Sequence, residues 1–256
     1  MKRFLALAAT VFFLGAAASA QDAREIARGA RDRIHADTVS TRARMVITDK
    51  SGGTTERLVD QYSAKVNGAD CTVIIFQKPA SIAGTRFLTI SNTDKPDDRW
   101  IFLPSLGKVR RVSAGEGSSS FMGTDFSYDD ISLMDRDVDQ DSYTLVREEQ
   151  VNGKACWVVE ARPKNDSYQY SRTLMWVDKA NSVSWKIEMY DQKNVLVKTL
   201  SIDSVKDIQG RLTPIQTTVR SVQAGTSTTL YVDIMKYDEK IPSSVFTVRF
   251  LETGRP

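Results

Sequence analysis

One histidine, His35, bounds most of the chemistry open to this 256-residue chain. A histidine-based metal site within one chain needs more than one imidazole. A Ser-His-Asp or Cys-His arrangement would have to be built on His35 alone, and no serine lies in a Gly-x-Ser-x-Gly elbow. At the end of a predicted helix, His35 is explained as a solvated helix-terminal residue. Catalysis by carboxylates alone would need a distinctive pair, and none stands out. Asp135-Arg136-Asp137-Val138-Asp139-Gln140-Asp141 places acids at alternate positions like the start of a calcium loop. It has Gln140 where the sharp turn needs Gly, and Val146 where the bidentate Glu belongs, so it reads as a solvated acidic turn. Gly115-Glu116-Gly117 is not followed by Gly-Lys-Ser/Thr, which makes it a weak phosphate-loop signal. No enzyme activity, metal or cofactor is expected.

Cys71 and Cys156 are the only cysteines. Each follows an Asn-Gly turn at the start of a predicted strand, in Asn67-Gly68-Ala69-Asp70-Cys71 and Asn152-Gly153-Lys154-Ala155-Cys156. A disulfide in an oxidising compartment and two buried thiols both fit, since sequence does not supply the Cα separation.

Large, soft apolar side chains are the more informative group. Met45, Phe87, Trp100, Phe102, Phe121, Met122, Phe126, Met134, Trp157, Trp176, Trp185 and Met189 lie in the strands and in a central irregular segment. Met and aromatic groups adapt to ligands of variable shape, and each also fits an ordinary core. Together they are candidates to line an apolar cavity and its lid. Lys108, Arg110 and Arg111 form a basic turn suited to partner docking.

The elements that position these residues are mostly strands. Residues 22–36 carry Ile26, Ala27, Ala30 and Ile34 at helical spacing. From residue 39 the pattern becomes one of alternation, with strands expected at 39–48, 56–65, 71–77, 85–91, 99–103, 108–112, 143–149, 155–162, 171–177, 183–190, 195–205, 212–221 and 227–237. In the tenth of these, Val183, Trp185, Ile187 and Met189 are expected on one face. Residues 113–141 break the rhythm. They are too long for a hairpin loop and too apolar for a linker, so a partly helical excursion packed on the sheet is expected. One helical turn is expected near 242–246. A long antiparallel meander with one apolar face must close or be covered. The fold class is therefore mainly β, a meander of eleven to thirteen antiparallel strands that closes most easily into a barrel or half-barrel, its interior filled by helices or by a ligand.

Residues 1–20 read as a secretory leader: Lys2 and Arg3, an apolar run over 4–17, and Ala18-Ser19-Ala20 at the cleavage site. The mature chain is expected to begin at Gln21, outside the cytoplasm, and to form a single domain over 21–256. Without Lys2 and Arg3, 33 basic side chains face 32 acidic ones. That near balance argues against nucleic acid as a partner.

The string Arg99-Trp100-Ile101-Phe102-Leu103-Pro104-Ser105-Leu106-Gly107-Lys108-Val109-Arg110-Arg111, with Phe121-Met122-Gly123-Thr124-Asp125-Phe126-Ser127-Tyr128-Asp129-Asp130, resembles the periplasmic outer-membrane lipoprotein-sorting proteins of the LolA-like branch. The resemblance extends over most of the mature chain. It implies a LolA/LolB-like fold, an unclosed antiparallel β-barrel of about eleven strands whose curved sheet is covered by helices around a cavity for acyl chains, and it places the mature chain in the periplasm. It also implies a carrier or binding protein for lipoprotein acyl chains or other lipids. The alternative is a non-catalytic module docking on a membrane lipid exporter, a protein that relatives with this string often accompany.

Overall fold

The computed structural model describes residues 14–92, 95–131, 136–166 and 168–256, with side chains from residue 22 onward. Each of the thirteen alternating segments becomes one strand, the upper end of the eleven to thirteen expected. They are β1 (Thr38–Thr48), β2 (Thr54–Val66), β3 (Ala69–Lys78), β4 (Arg86–Ile90), β5 (Asp98–Leu103), β6 (Lys108–Val112), β7 (Asp141–Val151), β8 (Lys154–Pro163), β9 (Arg172–Asp178), β10 (Ser184–Tyr190), β11 (Leu196–Ile208), β12 (Arg211–Ser221) and β13 (Thr226–Tyr237). Helices are few: α1 (Leu14–Arg31), α2 (Tyr128–Ile131) and α3 (Val248–Thr253), with single 3₁₀ turns at Ala114–Glu116, Val138–Gln140 and Ser243–Phe246.

Hairpin chemistry sets the strand ends. Asn67-Gly68 and Asn152-Gly153 hold positive φ at both turn residues, 52° and 86°, and 51° and 75°. That backbone matches the twist of the flanking strands, and Asn and Gly reach it at least cost. Gln209-Gly210 makes the same turn at 53° and 77°.

All strands join one antiparallel sheet in the order β6-β5-β4-β3-β2-β1-β13-β12-β11-β10-β9-β8-β7. Two meanders, β1–β6 and β7–β13, meet only where the first strand pairs with the last, from Val39 opposite Tyr237 to Thr48 opposite Ser227. The sheet is open, with β6 and β7 as its free edges. Those two strands follow one another in the chain, and the described parts of their connection, residues 113–131 and 136–140, lie over one face of the sheet between the two edges.

That face can be read from the register, because directly paired residues share a face. Ile74 pairs with Phe87 and Phe87 with Ile101. Val59 pairs with Phe76 and with Ala43, and Met45 with Leu230. These inner residues form one cluster with Phe121 and Tyr128 of the crossing segment. On the same face at the other end of the sheet, α1 packs on β7, β8 and β9. It does so through Ala23, Ala27 and Ala30, whose small side chains allow a close approach. Helix α1 stops at Arg31 rather than near residue 36, because the following residues are tied into the sheet. The His35 carbonyl accepts from Arg211 Nε at 2.8 Å, and the Asp37 N–H donates to Asp238 Oδ1 at 2.8 Å.

The outer face of β3–β5 is sealed by the C-terminus. Val245, Phe246, Phe250 and Leu251 cluster there with Cys71, Val73 and Leu88. Helix α3 goes beyond the single turn expected from sequence. It is capped by Thr247, whose side chain accepts the Phe250 N–H, and closed by Gly254 at φ 66°.

Cys71 and Cys156 are free and buried in separate clusters, one under α3 and one in the β8–β12 core. Each thiol donates to the carbonyl two residues earlier, Ala69 and Lys154. Burial raises both thiol pKa values above the ordinary range. Leu251→Ala is expected to cost about 2–5 kcal/mol in a denaturant titration, as for other fully buried leucines. Thiol labelling without reduction is expected to find two thiols after denaturation and slow reaction in the native protein, since little thiolate forms near neutral pH.

Candidate functional site

The crossing segment is built to cover the inner face. Ser120 and Ser127 bridge each other, making a small hairpin whose tip holds Met122 at φ 53° and Gly123 at φ 74°. The hairpin points Phe121 into the sheet, 1% exposed. Its ring meets Phe87 edge-on at 5.1 Å, Phe76 at 5.8 Å and Tyr128 at 5.6 Å. Phe126 is half-buried and packs against the clusters of both meanders.

Four polar anchors fix this apolar cover. Asp125 accepts from Thr228 Oγ1 at 2.7 Å and from Thr226, both on β13. Asp129 accepts from Arg99 Nη1 of β5 at 2.6 Å. Asp130, with a side chain 4% exposed, accepts from Tyr170 at 2.7 Å and from Lys198 Nζ of β11 at 2.6 Å. Arg57 of β2 donates to the Met122 carbonyl, and burial lowers its pKa. Burial, reinforced by the Asp130 charge, drives the Tyr170 phenol far above its ordinary value. Asp125, Asp129 and Asp130 thus reach three different strands. Gly117 is explained by the same packing: a Cβ there would stand 2.5 Å from the Asp129 carboxylate. The Gly115-Glu116-Gly117 stretch is a tight turn, with Glu116 accepting the Ser113 N–H at 2.9 Å.

The acidic run that resembled a calcium loop also has a structural partner. Asp139 pairs with Arg24 and Asp137 with Arg31, so part of this turn docks α1. No group of metal-ligating side chains occurs among the described residues.

The residues expected to line a cavity divide between the faces. Met45, Phe87 and Phe121 are buried in the inner cluster, with Met122 and Phe126 half-buried against it. Met189 is inner and pairs with Lys198. Trp100 and Phe102 are not inner: Ile101 takes that face, so its neighbours turn outward to the α3 cluster, with Arg86 4.6 Å above Phe102. Trp176 pairs with Val158 and Lys186, opposite in parity to the inner Met175, and lies under Lys186 at 4.3 Å. Trp185 departs from Ile187 and Met189 because the register shifts between Ser184 and Lys186. Its indole donates to Asp178 Oδ2 at 2.8 Å, and Lys154 lies 4.8 Å away. Trp157 is half-buried beneath Lys179 at 5.5 Å. Met134 lies outside the described residues.

The open space is correspondingly polar. A cavity of about 970 Å³ is lined by Arg31, Asp32, His35, Asp70, Arg99, Asp137 and Lys164 among others. The apolar crevice beneath α1, lined by Ala27, Ala30, Tyr143, Met175 and Ile187, holds only about 60 Å³. In the basic turn, Arg110 pairs with Glu116 at 2.8 Å and Arg111 with Asp98, while Lys108 is exposed. Asp98 is held below the usual carboxylate range, chiefly by Lys95.

Breaking the most buried anchor isolates its effect. Asp130→Ala is expected to cost about 3–5 kcal/mol, because it strands the Lys198 ammonium. Adding Lys198→Met should recover part of that loss in a double-mutant cycle of urea melts.

A family model described as an uncharacterized protein matches residues 68–253, while no curated protein matches the chain. Three crystal structures are similar over 91% of this chain and 99% of their own. A DUF1329 family protein from Desulfovibrio piger is 30% identical with a TM-score of 0.87. A domain described as an outer membrane lipoprotein-sorting protein, from Vibrio parahaemolyticus, is 28% identical with a TM-score of 0.85. A LolA superfamily protein from Nitrosomonas europaea is 22% identical with a TM-score of 0.70, a likeness of fold. The chain belongs to the DUF1329 family and has the LolA-like fold.

Proposed function

We propose that this protein is a periplasmic carrier or binding protein for lipid acyl chains, of lipoproteins or other lipids, and that it moves cargo toward the outer membrane without catalysis. The observation that carries the reading is how the crossing segment is attached. Its cover over the aromatic inner face is anchored to the sheet by side chains, Asp125, Asp129, Asp130 and Arg57, and its one strand-like bridge among the described residues is internal. A cover held this way can lift while every strand ladder stays intact. Beneath it, Phe76, Phe87 and Met45 offer an acyl chain the surface that Phe121 otherwise occupies. The description of the Vibrio parahaemolyticus relative as a lipoprotein-sorting domain supports the same class of role.

In this reading the leader is removed after Ala20 and the mature protein works from Gln21 onward. Cargo passes along a series of acceptors by differential affinity. Burial of one methylene contributes about 0.8 kcal/mol, so a partly sheltered chain is held and can still be released.

Protein purified from the periplasm should have Gln21 as its first residue and carry co-purifying lipid in native mass spectra. Phe126→Asp should weaken binding of a fluorescent fatty acid about tenfold, the scale of losing contact with two methylenes, and leave a cooperative melt. A lipid-free protein that ignores fatty acid would overturn the carrier reading in favour of a module docking on a membrane lipid exporter.

A further inference from the structure

Alternation of strand direction sends six strand connections to one rim of the sheet: the longer β8–β9 connection and five short hairpin tips at residues 49–53, 79–84, 104–107, 191–195 and 222–225. Several of these tips touch one another. A Cβ on Gly225 would stand 3.8 Å from Lys50 Cβ, and one on Gly84 would stand 3.4 Å from Pro104 Cγ. Val222 donates its N–H to the Val197 carbonyl just beyond the 191–195 turn.

This rim is unusual in two respects. Among the described residues, Leu106, Val146, Val195, Val222 and Ile234 are the exposed large apolar side chains, and three of the five sit on these tips. Leu106, at 63% exposure, is the most exposed. Beside the tips stand Lys50, Lys78, Lys108 and Lys193, all exposed and none in an ion pair among the described residues. The acids of these tips, Asp49 and Asp191, accept N–H groups of their own turns, Ser51 and Gly53 in one and Lys193 and Val195 in the other. Toward the opposite rim, Lys65, Lys95, Lys179 and Lys236 each pair with an acid. Lys154, Lys206 and Lys240 are also exposed without an ion pair among the described residues, so what marks this rim is that unpaired lysines stand beside exposed apolar tips.

We infer that this rim docks on the surface of a bilayer containing anionic phospholipid. Single apolar side chains on separate tips form no groove for a peptide. They suit shallow immersion at the level of the headgroups, with the lysines meeting phosphate around them. Leu106 is the deepest point of the contact. The contact needs no cargo cavity, so it stands apart from the carrier reading.

Co-sedimentation of the mature protein with vesicles provides the test. Binding is expected to phosphatidylcholine vesicles containing phosphatidylglycerol, to be weak on phosphatidylcholine alone, and to fall as salt screens the lysines. Each of Lys50→Gln, Lys78→Gln and Lys193→Gln should weaken binding about fivefold, corresponding to about 1 kcal/mol per lysine near such a surface. Leu106→Asp should weaken it at least as much, with the melting temperature and fatty-acid binding unchanged. Equal binding to both vesicle types, failure to bind either, or rim variants that bind like the parent would each overturn the proposal. Loss of fatty-acid binding with intact vesicle binding would instead count against the carrier reading alone.

Discussion

Everything on the inner face depends on the pairing of β1 with β13. That ladder joins two meanders back to back, so strands adjacent in the chain, β6 and β7, become opposite edges of the sheet. The connection between them has no route except across a face. An antiparallel sheet with an apolar face needs a cover, and here the connectivity supplies one. The crossing segment is therefore the consequence of closing the meander at β1–β13 instead of at β6–β7.

A cover that adds no strand must satisfy its own backbone and still register on the sheet. The segment meets the first need with short turns, an internal bridge and a reciprocal cap in which Ser127 N–H donates to Asp130 and Asp130 N–H to Ser127 Oγ. It meets the second with buried acids. Burying a carboxylate is costly unless it is paired and hydrogen-bonded, so each acid fits only where its partner waits. Asp125 finds two threonines of β13, Asp129 the buried Arg99, and Asp130 both Lys198 and Tyr170. Such contacts specify position more than they stabilise. The apolar packing of Phe121 and Tyr128 contributes the adhesion.

The strands were legible because alternation is a local signal, and the thirteen alternating segments map one to one onto strands. Face assignment was less so. A single bulge at Trp185 broke the two-residue period and sent its indole to Asp178. In β5, nothing in Arg99-Trp100-Ile101-Phe102 says which of two apolar faces is inner, since α3 covers the outer one and makes both apolar. Helix α3 itself is too short to display a period, although Thr247 and Gly254 are ordinary start and stop signals. The acids of Gly-Thr-Asp-Phe-Ser-Tyr-Asp-Asp stood out as a string. Their partners lie on β5, β11 and β13, and such long-range pairing leaves no trace in local sequence.

The composition of the cover bears on how cargo would exchange. Withdrawing Phe121 from Phe76 and Phe87 exposes one large apolar side chain, worth about 1.5–3 kcal/mol, and gives up aromatic contacts worth about 0.5–1.5 kcal/mol each. An acyl stretch of about four to six methylenes buried in its place returns about 3–5 kcal/mol. On these apolar contributions alone the two states lie within a few kcal/mol of one another, and releasing the buried anchors adds to the cost of opening. A deeper, permanently empty pocket would hold a lipid more tightly and release it more slowly. Filling the site with the chain's own phenylalanine keeps the apolar surface out of water between rounds and sets the affinity as a difference. On the carrier reading, the filled inner face is thus the resting state of the binding site, and the polar anchors determine where the cover returns.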